Sequence, residues 1–328
     1  MFDSLRFPSP IQPLDLKEAR SLGIRLYVKR DDLIPYAFGG NKVRIAAEFV
    51  ADLRTKGCDA LIMYGDLRSN LCRVLAMMCH EEGIPCLMVA TSAEGEPSRP
   101  SFNEEIVRGF GIEVIECDKG AIAQAVDKAF ELLRSRGHKP YYIYGDRTGR
   151  GNEGVPARAY AKAYREILDW EAAQGTHFDL LVTPYGTGCT QSGLICGSMA
   201  AGDQRDIVGI SISSRPRERA LSILDDAVRE WFALEDRELP QDYASHITLD
   251  TSHTCGGYGV RDPRVDELIA SSLEQTSLPL DPTYTGKALR GAFDYLAEHE
   301  IHDKDVLFLH TGGLPLFFDY LREAQEGR

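Results

Sequence analysis

FDLLVTPYGTGCTQSGL, residues 178–194, holds the fold in miniature. Its first half, FDLLVTPYG (178–186), is an apolar run bounded by Asp179 and Gly186. Such a run reads as a strand buried on both faces. Its second half, YGTGCTQSGL (185–194), crowds glycine, threonine and cysteine into a turn that opens a helix.

The same alternation runs outward in both directions. Apolar runs recur at DALIMYG (59–65), IPCLMVAT (84–91), IEVIEC (112–117), YYIYG (141–145), DIVGISIS (206–213) and DVLFLHTGG (305–313). Helical patterns lie between them at 41–57, 121–137 and 157–175, each ending at a glycine, as helices often do. Repeated strand–helix alternation predicts an α/β fold with parallel sheets. No short internal repeat and no low-complexity linker interrupts it, and TSAEGEPSRPSF (91–102) reads as a surface loop.

Composition narrows the function. A chain of 328 residues makes one large domain or two medium ones. With 43% hydrophobic and 27% charged residues, it has the make-up of a soluble globular protein. A net charge of −13 argues against nucleic acid and anionic membranes as partners, since both need a basic surface. No run approaches eighteen apolar residues, and MFDSLRFPSP has no basic start followed by an apolar core. Neither a membrane span nor an export signal is expected. The eight cysteines are scattered without a Cys-x-x-Cys pair, and the eight histidines do not cluster. Reduced thiols, a cytoplasmic location and no metal site follow as expectations.

In open parallel sheets, ligands sit beyond the carboxyl ends of the strands. The turns there are YGDLRSNLCR (64–73), YGTGCTQSGL (185–194) and HTGGLP (310–315), joined by FGGNKVR (38–44) before a helix. At a helix N-terminus, Gly186, Thr187, Gly188, Cys189 and Thr190 would present N–H groups and hydroxyls, a geometry that binds phosphate. Position 191 is Gln, so this is not Gly-x-Gly-x-x-Gly, and no Gly-Lys-Ser/Thr ends it as in a Walker A loop. By itself the turn serves equally as a strand-to-helix junction with small residues for close packing.

Lys42 sharpens the reading. A cation in the first turn of a helix opposes the helix dipole, so its place there needs another reason. Gly39 and Gly40 leave open backbone space before it for a flat ligand. A lysine whose pKa is lowered by desolvation is a good amine nucleophile. A phosphate cup and a lysine, without a Walker motif, suggest a phosphate-bearing aldehyde held as a Schiff base, which is pyridoxal 5′-phosphate. The plain alternative is a surface lysine.

Four segments in order, KRDDL…GGNKVR, RSNLCR, YGTGCTQSGL and DPTYTGKALRG (281–291), with HTCGGYGV (253–260) in support, resemble the D-cysteine desulfhydrase and 1-aminocyclopropane-1-carboxylate (ACC) deaminase family. The resemblance runs from residue 28 to residue 320. It implies the tryptophan-synthase-β-like fold, fold type II of the pyridoxal-phosphate enzymes. That fold has two parallel-sheet α/β domains with helices on both faces. A large domain would span 1–47 and 166–328, and a smaller inserted one 48–165 would close over substrate. A homodimer is implied as well.

By position, Lys42 would bond the cofactor aldehyde and later move the α-proton, and Asn70 would bond the cofactor's 3′-hydroxyl. Ser69 would help hold the substrate carboxylate and would relay a proton or act as a nucleophile, and residues 186–190 would hold the phosphate. Tyr258 and Tyr284 match the family's two active-site tyrosines. A tyrosine hydroxyl of lowered pKa can assist proton transfer. Thr285 stands where the deaminases tend to have glutamate facing the pyridine nitrogen and the desulfhydrases threonine. This favours β-elimination from a small amino acid over opening of a cyclopropane ring. Departures bear on the substrate. Arg68 and Leu71 replace polar residues of the family's Gln-Ser-Asn-His or Gln-Ser-Asn-Gln motif, and Asp66 replaces a glycine. Arg68 could read a second anionic group on the substrate, as in cysteate, or pair with Asp66 or another acid. β-Replacement uses the same residues, and a cofactor-binding protein with little catalytic activity is the reading from another class.

Overall fold

The computed structural model describes residues 7–91 and 99–326. Its strands are β1 (Ile11–Pro13), β2 (Arg25–Arg30), β3 (Ala60–Gly65), β4 (Cys86–Thr91), β5 (Glu113–Cys117), β6 (Pro140–Tyr142), β7 (Leu180–Tyr185), β8 (Asp206–Ser211), β9 (Thr248–Asp250) and β10 (Asp305–His310). The helices are α1 (Lys17–Ser21), α2 (Asn41–Thr55), α3 (Asn70–Glu82), α4 (Phe102–Gly109), α5 (Ile122–Ser135), α6 (Ala157–Gln174), α7 (Cys189–Ala201), α8 (Arg217–Leu234), α9 (Pro263–Thr276), α10 (Thr285–Glu298) and α11 (Leu314–Glu326).

Two sheets result. The larger has the order β1-β2-β10-β7-β8-β9, and the smaller β5-β4-β3-β6. The smaller sheet is wholly parallel. In the larger one every pair is parallel except β1 with β2. The α/β expectation is therefore met, with one antiparallel edge strand that the apolar pattern did not announce. β7 sits inside the larger sheet, paired with β10 and β8, and all six of its residues are buried. That placement explains its unbroken apolar run.

Other elements depart from the pattern. β5 is an edge strand, partly exposed along its length, not buried on both faces. The run YYIYG leaves the sheet after Tyr142, whose carbonyl accepts from Asn152 Nδ2 at 2.9 Å. Gly145 then turns the chain with a φ of +90°. Of the expected loop 91–102, residues 92–98 lie outside the described residues, as do residues 1–6. Thr91 closes β4, and Ser101 caps α4 by accepting from the Glu104 N–H.

Helices α6 and α7 approach closely because α7 carries glycine at 193 and 197. A Cβ at either would lie 2.5 Å from the Cβ of Tyr160 or Tyr164. This contact sets α7, and with it the turn at 186–188, firmly on the sheet.

Candidate active site

The turn before α2 is built on glycines. Gly39 and Gly40 have φ of +69° and +97°, which a side chain would strain. A Cβ on Gly40 would come within 2.9 Å of the Thr311 carbonyl, so FGGNK lies directly on the HTGG turn after β10. Asn41 fastens the junction. Its N–H donates to Thr311 O at 3.1 Å, and its Nδ2 to Thr190 Oγ1 at 2.9 Å. Lys42 follows and lines the cleft. Among the described residues no hydrogen bond or ion pair holds its amine. Burial lowers its pKa, opposed only by the nearby Cys189. Behind it, Arg44 anchors the helix in a buried cluster, with Glu166 at 2.6 and 2.8 Å and Asp31 at 3.1 Å. Lys29 joins the same Glu166 at 2.7 Å.

The second turn follows β7. Gly188, with φ of +85°, stands at the N-terminus of α7, and no side chain caps that end. The N–H groups of Gly186 to Thr190 meet no protein acceptor among the described residues. Arg215 Nη1 pins the turn through the Gly186 carbonyl at 2.5 Å.

The third turn, after β3, opens α3. Ser69 caps the helix by accepting from the Cys72 N–H at 3.3 Å. Asn70 Oδ1 accepts from Asn103 Nδ2 at 3.0 Å and from Arg73 at 3.5 Å. Its Nδ2 has no partner among the described residues. Asp66 Oδ1 accepts from the Arg68 N–H at 2.8 Å, and Oδ2 from Tyr258 Oη at 3.0 Å.

Tyr258 and Tyr284 meet edge to face, ring centroids 6.1 Å apart. Burial pushes both hydroxyls well up, and the Asp66 charge adds to this. They are raised, not lowered, and so hold their protons at neutral pH. Asp281 caps α10, accepting from the N–H groups of Thr283, Tyr284 and Thr285 at 2.9, 2.7 and 3.0 Å. Thr285 Oγ1 donates to Asp281 Oδ2 at 2.7 Å. Burial raises the Asp281 carboxyl against those four bonds.

These turns enclose one cavity of about 390 Å³. Its walls include Lys42, Ser69, Asn70, Leu71, Gly186, Thr187, Gly188, Cys189, Thr190, Tyr258 and Tyr284. Two other residues singled out in the sequence, Arg68 and Thr285, are not among its lining residues. Arg68 engages its neighbours through its backbone, its carbonyl accepting from Asn103 at 2.7 Å. Thr285 is fully buried against Asp281. The cavity also presents Asp281, Arg215, Ser213, Tyr64 and Tyr144, which the sequence did not single out. Asp-Pro ahead of a helix was a legible cap signal for Asp281. Arg215, in an irregular segment after β8, gave none.

Among the described residues, a lysine without a partner and a turn of N–H groups without acceptors line one cavity, an arrangement that suits a phosphorylated small molecule held beside an amine. Residues 4–312 match the family described as pyridoxal-phosphate dependent enzymes, and the chain belongs to that family. It is a pyridoxal-phosphate-dependent enzyme of fold type II. The 1-aminocyclopropane-1-carboxylate deaminase of Burkholderia lata is 31% identical, with 98% of this chain and 96% of the relative covered. The D-cysteine desulfhydrase of Yersinia enterocolitica is 29% identical over 91% and 89%. A crystal structure of an ACC deaminase homologue superposes with a TM-score of 0.83 at 28% identity, covering 99% of this chain and 95% of the other. The donors present fit the cofactor: an amine for its aldehyde, amides for its phosphate, and the Asn70 amide for its hydroxyl.

Proposed function

We propose that the protein is a lyase of the D-cysteine desulfhydrase type. It would release a group from the β-carbon of a small amino acid and, with water, yield a keto acid and ammonia. The observation that carries this is the Lys42 amine, without a partner among the described residues and lining the same cavity as the uncapped start of α7.

Bound pyridoxal phosphate supplies the electron sink for charge left at the substrate's Cα. Residues 186–190 hold the phosphate, and Asn70 steadies the ring hydroxyl. The Ser69 hydroxyl and the N-terminus of α3 bind the substrate carboxylate. Lys42, whose neutral form burial favours, takes the proton from Cα. Tyr284 and Tyr258 keep their protons and can give one to the departing group. Thr285 carries a hydroxyl where the deaminases tend to carry a carboxylate, but it lies behind Asp281, which lines the cavity and accepts from it, so the choice between elimination and ACC deamination falls to the substrate assay. Residues 48–165 form the smaller unit that closes on substrate in this reading. Homodimeric assembly rests on the family likeness alone, and sedimentation tests it. A cytoplasmic location rests on the free cysteines among the described residues.

The substrate reading turns on Asp66. Asp66 lines the cavity, its carboxylate held by the Arg68 N–H and the Tyr258 hydroxyl, while Arg68 does not line it. A second acidic group on the substrate would meet a like charge there, which costs binding. A thiol, hydroxyl or amine at the β-carbon would meet an acceptor. Keto-acid release should be measured from D- and L-cysteine, serine, β-chloroalanine, cysteate and ACC, with Lys42→Ala as control. Turnover of cysteine or serine above cysteate supports the reading. Asp66→Asn should narrow that preference by about tenfold. Preferred turnover of ACC would make the protein a deaminase. Cofactor binding without any turnover would make it a binding protein.

A further inference from the structure

Lys287 lies three residues beyond Tyr284 in the first turn of α10, where a cation opposes the helix dipole. It is 1% exposed, and no ion pair holds it among the described residues. Its Nζ donates to three backbone carbonyls, those of Cys255 at 2.8 Å, Val260 at 2.6 Å and Gly257. An ammonium has three protons, and all three are engaged. The chain spanning these carbonyls is CGGYGV (255–260), and Cys255, Gly256, Gly257 and Gly259 all have positive φ. Such a backbone lacks a ladder to hold it. Tyr258 projects from this segment, 42% exposed, and reaches Asp66.

We propose that Lys287 is a positioning residue: a tethered cation in a cage of carbonyls that fixes the Tyr258 loop against the Tyr284 helix. Carbonyl oxygens that converge on a positive charge replace its hydration shell, as they do for a free monovalent cation. Removing the charge leaves the Cys255, Gly257 and Val260 carbonyls without their shared donor, two of them buried and all mutually repelling. The loop then loses its anchor, and Tyr258 its place beside Tyr284. The role in turnover rests on the lyase reading above. The role in loop order does not.

The test uses the cofactor-loaded protein and two variants. Lys287→Met keeps the bulk and removes the charge, while Lys287→Ala also opens space for a small amine. Hydrogen exchange at Gly257 and Val260 is followed in each, with and without methylammonium. The expected result is exchange at least about tenfold faster in both variants, restored by methylammonium in Lys287→Ala only. The same pattern is expected in kcat for the substrate found above, with a smaller change in KM. Unchanged exchange in this loop would overturn the proposal. So would faster exchange spread evenly over the chain, or a loss that methylammonium leaves untouched in Lys287→Ala. If the wild-type protein turns over no substrate, the lyase reading fails while the exchange result still decides the cage.

Discussion

Replacing Lys42 by alanine separates a working lysine from a structural one, because stability and activity should move in opposite directions. The amine has no partner to lose among the described residues, and it lies in the first turn of α2. Removing an unfavourable dipole interaction contributes about 0.3–1 kcal/mol. Relief of a desolvated charge adds to that, and alanine is the better helix former by a few tenths of a kcal/mol. Against this stands the lost packing of the side-chain stem, roughly 1 kcal/mol. The cofactor-free variant should therefore be as stable as the wild type or more so by about 1 kcal/mol. For a chain of this size that is an upward shift in Tm of roughly 1–3 °C. Turnover should fall by at least about a thousandfold.

The pH dependence sharpens the test. The folded-state pKa of Lys42 lies below its ordinary value of 10.5. Between the two values the unfolded chain binds more protons, so wild-type stability rises with pH through that window. Lys42→Ala should lack this rise. The assay is thermal melting of both cofactor-free proteins across pH 7 to about 10.5, paired with keto-acid release. A melting point several degrees lower in the variant at every pH would refute the reasoning, since it would make Lys42 a structural residue.

Gly40→Ala should place a Cβ 2.9 Å from Thr311 O at a φ of +97°, costing roughly 1–3 kcal/mol and weakening cofactor retention in equilibrium dialysis. Asn103→Ala should free Asn70 to turn, since Asn103 donates to both Asn70 and the Arg68 carbonyl. Cofactor affinity should drop by about tenfold, read by titration of visible absorbance. Glu166→Ala should remove the ion-pair partner of buried Lys29 and one of the two carboxylates on Arg44, and denaturant melts should show a loss of about 3 kcal/mol. Glu166→Gln, which keeps an acceptor, should cost less.

The larger part of the fold was legible because parallel strands buried on both faces write themselves as apolar runs. β7 and β10 show it best. What stayed hidden depends on neighbours. β5 has strand character but lies at an edge, and no local signal tells an edge from a centre. β1 is three residues long and is held by pairing with β2, not by its own pattern. The site divides in the same way. Glycine turns at 39–40 and 186–188 announce themselves because few other residues can take their conformations. Side-chain direction has no such signature. Arg68 and Asp66 sit two residues apart on one turn, yet Asp66 lines the cavity and Arg68 does not.

The sign of a pKa shift is likewise a property of the assembled cavity. Lys42, Tyr258 and Tyr284 could be named from their motifs, but the direction in which each group shifts could not. The reason is that burial penalises whichever form carries charge. For an amine that form is the acid, so the same cavity pushes Lys42 down. For a phenol it is the base, so both tyrosines go up, and Asp66 pushes in the same direction. One environment therefore sets a base beside two proton holders without any strong charge pairing. An elimination needs that pair of roles: one group takes a proton at Cα, and another holds one for the atom that leaves.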